Sequence, residues 1–153
     1  INEDTSKAEL DSFIKTMPEN IKLVEVDVKV ETDLNDLTDE EKKEFMEEFG
    51  IDESALSKII RTGYSLLDLK TFFTSGEKES RAWAAKKYFN AQECSGIIHT
   101  DIKKGFIRAE TVSYKDYIDS GSEQASKANG VWRQEGKEYI VNEGDVIYFR
   151  FNV

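Results

Sequence analysis

The 153-residue sequence predicts an α+β fold in two units, and three observations carry that reading. Charge is unevenly spread: residues 1–60 hold 18 Asp and Glu against 7 Lys and Arg, while residues 61–153 hold 13 against 14. Hydrophobic spacing is mostly helical up to about residue 64, then turns to short alternating runs. Turn-forming clusters separate those later runs, as at Ser75-Gly76 and Asn142-Glu143-Gly144-Asp145. The predicted units are residues 1–64 and 65–153.

In the first unit, Leu10, Phe13, Ile14 and Met17 fall at helical spacing, and Pro18-Glu19-Asn20 ends that helix. The run IKLVEVDVKVE alternates, with Ile21, Leu23, Glu25 and Asp27 against Lys22, Val24, Val26, Val28 and Val30. It predicts a strand over 21–30 with one strongly apolar face. Thr38 followed by Glu41 is a capping-box signature; Phe45, Met46 and Phe49 give the apolar stripe, and Gly50 the stop. A further helix is expected from Asp52, with Leu56, Ile59, Ile60 and Tyr64 on one side. The eight acidic residues from Glu31 to Glu47 lack the order of a calcium loop and read as a solvated helix face.

In the second unit, LKTFFTSGEKESRAWAA reads as two strands around Ser75-Gly76. NAQECSG reads as a short helix with Asn90 as N-cap and Gly96 as its end. GFIRAETVSY is a strand, and SGSEQASKANG a polar connection, partly helical around residues 123–128. KEYIVNEGDVIYFRFNV closes as a strand pair, with Val146, Tyr148 and Arg150 facing one way and Ile147, Phe149 and Phe151 the other. A mixed sheet wrapped over one helix is the β-grasp, or ubiquitin-like, arrangement.

Composition narrows the functions. No apolar run approaches the roughly 20 residues that cross a bilayer, so no membrane partner is expected. The polar, acidic opening INEDTSKAEL does not read as a signal peptide. One cysteine, Cys94, forms no intramolecular disulfide, and a reducing cytoplasm is the simplest setting. A net charge of −10 repels nucleic acid as a whole, but the near-neutral second unit does not. The lone Cys94–His99 pair lacks an orienting third group, so no catalytic residue is assigned. One His and one Cys make no usual zinc site. Gly130 to Gly136-Lys137-Glu138 misses the phosphate-loop spacing and puts Glu138 where Ser or Thr must hold magnesium.

Cations that suit RNA are Lys103, Lys104, Arg108, Arg133 and Lys137, with Phe106, Tyr114 and Trp132 nearby, and the first four are the candidate phosphate contacts. Cations beside aromatics suit phosphate contacts and base stacking. The competing reading is a protein-interaction adaptor that uses a ubiquitin-like sheet and needs no basic surface.

GIIHTDIKKGFIRAETVSYKDY and VWRQEGKEYIVNEGDVIYFRFNV resemble the C-terminal part of the YchF-type Obg-like ATPases. The match runs through His99, Thr100, Asp101, Gly105, Phe106, Ile107, Ala109 and Glu110, and again through Gly144, Asp145, Phe149, Arg150, Phe151, Asn152 and Val153. The resemblance implies a β-grasp TGS domain over 65–153, preceded by a truncated α/β remnant of a P-loop G domain over 1–64. It places Glu3 at the last position of a nucleotide-specificity motif whose Asn would precede Ile1, and Val153 at the family's natural C-terminus. Asp27-Val28-Lys29 stands where the family's base-stacking loop usually reads Ser-Ala-Lys. AAKKYFNAQECS lacks the Gly and Pro that usually precede the family's helix, so Asn90 is expected to cap it.

By the same resemblance, the parent is a ribosome-associated P-loop nucleoside triphosphatase that uses ATP or GTP with Mg. The TGS domain is implied to contact the ribosome and its RNA. No cofactor is expected in this chain and no DNA partner. A dimer through the unpaired 21–30 edge is expected, because an apolar strand edge is otherwise left open.

Overall fold

The structure, a computed structural model, describes residues 7–18, 21–76 and 79–152. Two compact units meet between Leu66 and Leu67.

The first unit contains α1 (Lys7–Lys15), α2 (Val28–Asn35), α3 (Asp39–Glu48) and α4 (Ala55–Leu66). α3 has the expected capping box: Thr38 N–H donates to Glu41 Oε2 at 2.8 Å, and Glu41 N–H donates back to Thr38 Oγ1. Gly50 adopts a left-handed φ of 63° after the C-cap Phe49, and the Ile51 N–H reaches back to the Met46 carbonyl. α4 begins three residues later than expected, with Ser54 Oγ accepting from the Ser57 N–H. Its Leu56, Ile59 and Ile60 are exposed.

The strand expected over 21–30 is not formed. Residues 21–27 are irregular and α2 starts at Val28. Asp27 Oδ1 accepts from the Lys29 and Val30 N–H groups, so it acts as a helix N-cap. A strand needs a partner to satisfy its backbone and pack its side chains, and no strand exists among this unit's described residues. The helix satisfies its own backbone and buries Leu34. Its Glu31 carboxylate accepts the Ala55 N–H at the start of α4. This described part is therefore helical rather than α/β, and the strand edge behind the expected dimer is absent from it.

The second unit builds one five-stranded sheet, ordered β2-β1-β5-β3-β4. In chain order it runs β1 (Leu69–Ser75), β2 (Ser80–Lys86), α5 (Ala91–Ile98), α6 (Thr100–Lys104), β3 (Phe106–Ser113), α7 (Tyr114–Ser120), α8 (Glu123–Ala128), β4 (Arg133–Glu135) and β5 (Asp145–Phe151). β1 and β5 pair in parallel at the centre; the other neighbours are antiparallel. Phe72, Ala85, Ala109 and Ile147 form the core on one face with Ala91 and Cys94 of α5, closed by Val141 from the chain before β5. On the other face, Tyr114 of α7 packs on Phe73 at 5.6 Å between ring centroids.

Asn90 caps α5 through a full capping box with Glu93. Gly96 does not end that helix, which continues to Ile98. A side chain at Gly96 would meet the Lys103 stem at 2.8 Å, so the glycine admits the next helix alongside. Gly105 is tighter: a Cβ there would lie 1.9 Å from the Asn152 carbonyl oxygen. The backbones join at that point, Asn152 N–H donating to Gly105 O.

The expected closing strand pair is replaced by a different arrangement. Only residues 145–151 form a strand, and its partners are β1 and β3. The residues before it are held piecemeal: Ala91 N–H to Tyr139 O, Asn142 N–H to Asp145 Oδ2, and Gly144 N–H to Thr71 O. Buried Lys70 completes this holding. Its Nζ donates to the carbonyls of Lys87, Phe89 and Val141.

Lys70→Met strands these three carbonyls without their donor and should lower stability by about 2–4 kcal/mol, read as a lower urea midpoint. Gly105→Ala forces the Gly105–Asn152 backbones apart. It should cost about 1–3 kcal/mol in the same measurement, whereas Gly96→Ala meets only a lysine stem and should cost less.

Candidate nucleic-acid interface

His99 caps α6, and its extended backbone (φ −161°, ψ 141°) interrupts the helical path after Ile98. Its Nδ1 accepts the Asp101 N–H at 3.2 Å, so the ring serves as a helix cap. Cys94 is fully buried, its Sγ is directed to the Phe89 carbonyl, and burial pushes its thiol up to about 11. A thiol so far from ionising is a poor nucleophile, and Cys94 Sγ and His99 Nδ1 are each directed at a main-chain group.

The four candidate cations occupy different settings. Lys103 and Lys104 end α6 and are exposed. Lys104 makes only a loose ion pair with Asp101, at 3.7 Å. Arg133, on β4, lies opposite Thr111. Its Nη2 donates to the Tyr139 hydroxyl at 3.2 Å and approaches Asp145 Oδ1 at 3.5 Å. Tyr139 in turn donates to Asp145 Oδ2, and burial pushes its hydroxyl up to about 12. Arg133 is therefore tied into the network that shapes residues 139–145.

Arg108 lies on β3 three positions from Thr111, and strand alternation puts it on the opposite face from Arg133. Its cross-strand partner is Arg150 of β5. Two like charges directly opposite are unfavourable. Between them sits the Glu110 carboxylate, with its side chain 7% exposed. Arg150 donates through Nε to Oε1 at 3.1 Å and through Nη2 to Oε2 at 2.9 Å. Arg108 donates through Nε and Nη2 to Oε1 at 3.3 and 3.1 Å. The Arg150 hydrogen bonds hold the Glu110 carboxyl below the usual carboxylate range against the effect of burial, and Arg108 adds to them. Both guanidinium side chains remain about half exposed, at 43% and 50%.

Beside this triad, Lys127 Nζ lies 4.7 Å from the Trp132 ring centroid, and Trp132 packs on Tyr148 at 5.1 Å. Trp132 is thus engaged by a cation and a second ring. The structure brings Arg108 together with Glu110 and Arg150 on one face, leaves Lys103 and Lys104 on α6, and places Arg133 on the other face. Arg150 and Glu110 were not among the sequence candidates. A signal existed: Arg108 and Glu110 share a strand face, and Arg150 alternates with Tyr148 and Val146. What was missing was the β3–β5 register. Glu3 lies outside the described residues.

Because the folded-state Glu110 carboxyl is held below its value of 4.5 in an unfolded chain, the stability it contributes is fully present above that value. It is lost as pH falls through the folded value. In Glu110→Gln, urea midpoints measured from about pH 5 to 3 should fall less steeply than in the wild type.

A family model described as "YchF-GTPase_C: Protein of unknown function (DUF933)" matches residues 69–152. The ribosome-binding ATPase YchF of Bacillus subtilis is 53% identical over 135 residues, 88% of this chain and 37% of that protein. Obg-like ATPase 1 of Gallus gallus is 49% identical over 123 residues, 80% of this chain and 31% of that protein. The solved structure of the Schizosaccharomyces pombe YchF GTPase superposes with a TM-score of 0.77 at 34% identity, over 94% of this chain and 38% of the other. The chain thus spans about a third of the length of these relatives. Its matched residues cover the whole five-stranded sheet and its helices, and the chain belongs to the YchF-type, Obg-like family through that C-terminal domain.

Proposed function

We propose that this chain is the ribosome- and RNA-contacting part of a longer nucleoside triphosphatase of this family. The observation that carries the reading is the 53% identity to a protein named for ribosome binding. The form of the second unit supports it: a central parallel β1–β5 pair, antiparallel flanks and one face wrapped on α5 are what a β-grasp TGS module presents. The exposed lysines of α6 offer phosphate contacts outside the acidic first unit.

In this reading, ATP or GTP hydrolysis with Mg belongs to the part of the relatives' length that this chain does not span. The sequence contains no phosphate loop, and Cys94 and His99 are committed to packing and capping. The first unit is read as the end of the nucleotide-binding domain, with Glu3 near the base. Among the described residues no helix is long and apolar enough to cross a membrane, and ribosome contact would place the protein in the cytoplasm.

Lys103 and Lys104 provide the clean test, because Arg108 and Arg133 also hold the fold together. In Lys103→Glu/Lys104→Glu, co-sedimentation of the chain with ribosomal subunits should weaken. The log–log salt dependence should become shallower by about 0.7–0.9 for each phosphate that is no longer neutralised. Unchanged pelleting, or binding that bulk RNA does not displace, favours the protein-adaptor reading instead.

A further inference from the structure

Arg150, the residue that sequence reasoning did not assign, sits in a hydrogen-bonded cationic cluster of the second unit. A shallow cleft of about 340 Å³ is lined by Glu110, Lys127, Trp132, Gln134 and Arg150. Arg108 shares the Glu110 carboxylate with Arg150. We propose that the Glu110-bridged pair Arg108–Arg150, with Lys127 and Gln134, is a docking site for the phosphodiester backbone of a single RNA strand. This deepens the proposed function and rests on it, by naming the surface and the chemical group it holds.

Three features favour this use. First, the arginines are paired directly opposite on adjacent strands, an unfavourable placement that a purely structural partner for one carboxylate does not need. Second, Glu110 engages Nε and Nη2 of both guanidinium groups and leaves both Nη1 groups without a hydrogen bond to the described protein. Two oriented donor groups on rigid strands match the oxygens of a phosphate, with little side-chain freedom left to lose. Third, the cleft keeps a positive balance. Arg108, Arg150 and Lys127 face Glu110 and Glu123, the latter 2.6 Å from Lys127. The Trp132 ring is already engaged by Lys127 and Tyr148, so the site reads the backbone rather than stacking a base.

The test uses the whole chain and a short fluorescent single-stranded RNA, followed by anisotropy at graded salt. Circular-dichroism melts establish that each variant is folded. Arg150→Gln and Arg108→Gln should each weaken binding about tenfold or more and reduce the salt slope by about 0.7. Arg150→Lys should recover only part of the loss, because it keeps the charge and loses the fork. Glu110→Gln gives a test of sign. It adds net positive charge, so simple attraction would tighten binding, whereas loss of the oriented pair weakens it; tighter binding overturns the proposal. If the chain binds RNA and both arginine variants bind as the wild type does, this site is wrong while the proposed function stands. If the chain binds no RNA, both fall. Inorganic phosphate should compete poorly. Polyglutamate that displaces RNA as well as unlabelled RNA does would reassign the cleft to acidic peptides and overturn the proposal.

Discussion

A charged ammonium enclosed inside a sheet is unfavourable by itself, and Lys70 is held there because three main-chain carbonyls surround it. Burial pulls its pKa below the ordinary lysine value. Those carbonyls belong to Lys87 and Phe89, where the chain passes from β2 to α5, and to Val141, just before β5. One side chain on β1 therefore fixes two irregular segments that have no ladder of their own. With those segments fixed, Tyr139 and Asp145 meet, Val141 enters the core and β5 begins in register beside β1. A hydrophobic residue at position 70 would pack but leave these connections without their common donor.

The same logic of one group serving several partners recurs on the opposite face, with the charge reversed. Glu110 is a buried carboxylate held by two guanidinium groups, and it sets their positions. The charge patterns of the two faces then differ in kind. On the core side, Arg133 is absorbed into a hydrogen-bonded network with Tyr139 and Asp145. On the open side, Arg108 and Arg150 keep half of their surface and part of their donor capacity. Exposure alone would rank Lys104, with 79% of its side chain accessible, above the arginine pair. Orientation ranks the arginine pair first, because the strands hold it in place before any ligand arrives.

Local chemistry was legible in the sequence; pairing was not. Thr38, Asn90 and the hairpin at Ser75-Gly76 carry their meaning within a few residues, and the structure uses each as expected. The run over 21–30 alternates as a strand does, but alternation specifies only a face to bury, and no strand is present among the unit's described residues to receive it. Asp27 then acts on its nearest N–H groups and starts a helix. Residues 137–141 departed from expectation for a related reason: their carbonyls and side chains are claimed by distant groups, at Lys70, Ala91 and Asp145, that no local pattern reveals. α7 went unread because its N-cap Ser113 is also the last residue of β3. Of the candidate site, the cations were visible and their grouping was not. Arg108 belongs with Arg150 through a register set by Gly105 and the irregularity between Phe106 and Arg108.

The parallel pairing of β1 with β5 places the first and last strands of the second unit side by side at the centre of its sheet. The hairpin of β1 and β2 can form early from local pairing. The remaining strands cannot join it until β5 is in place, because among the described strands β5 lies between β1 and β3. Folding of this unit is therefore completed from its end, and the non-local closure makes it slow relative to a helical domain of the same size. During synthesis, the Arg108–Glu110–Arg150 triad comes into existence only with that final step. The unit thus acquires its oriented cations at the same moment as its closed sheet, and a chain interrupted before β5 would have neither.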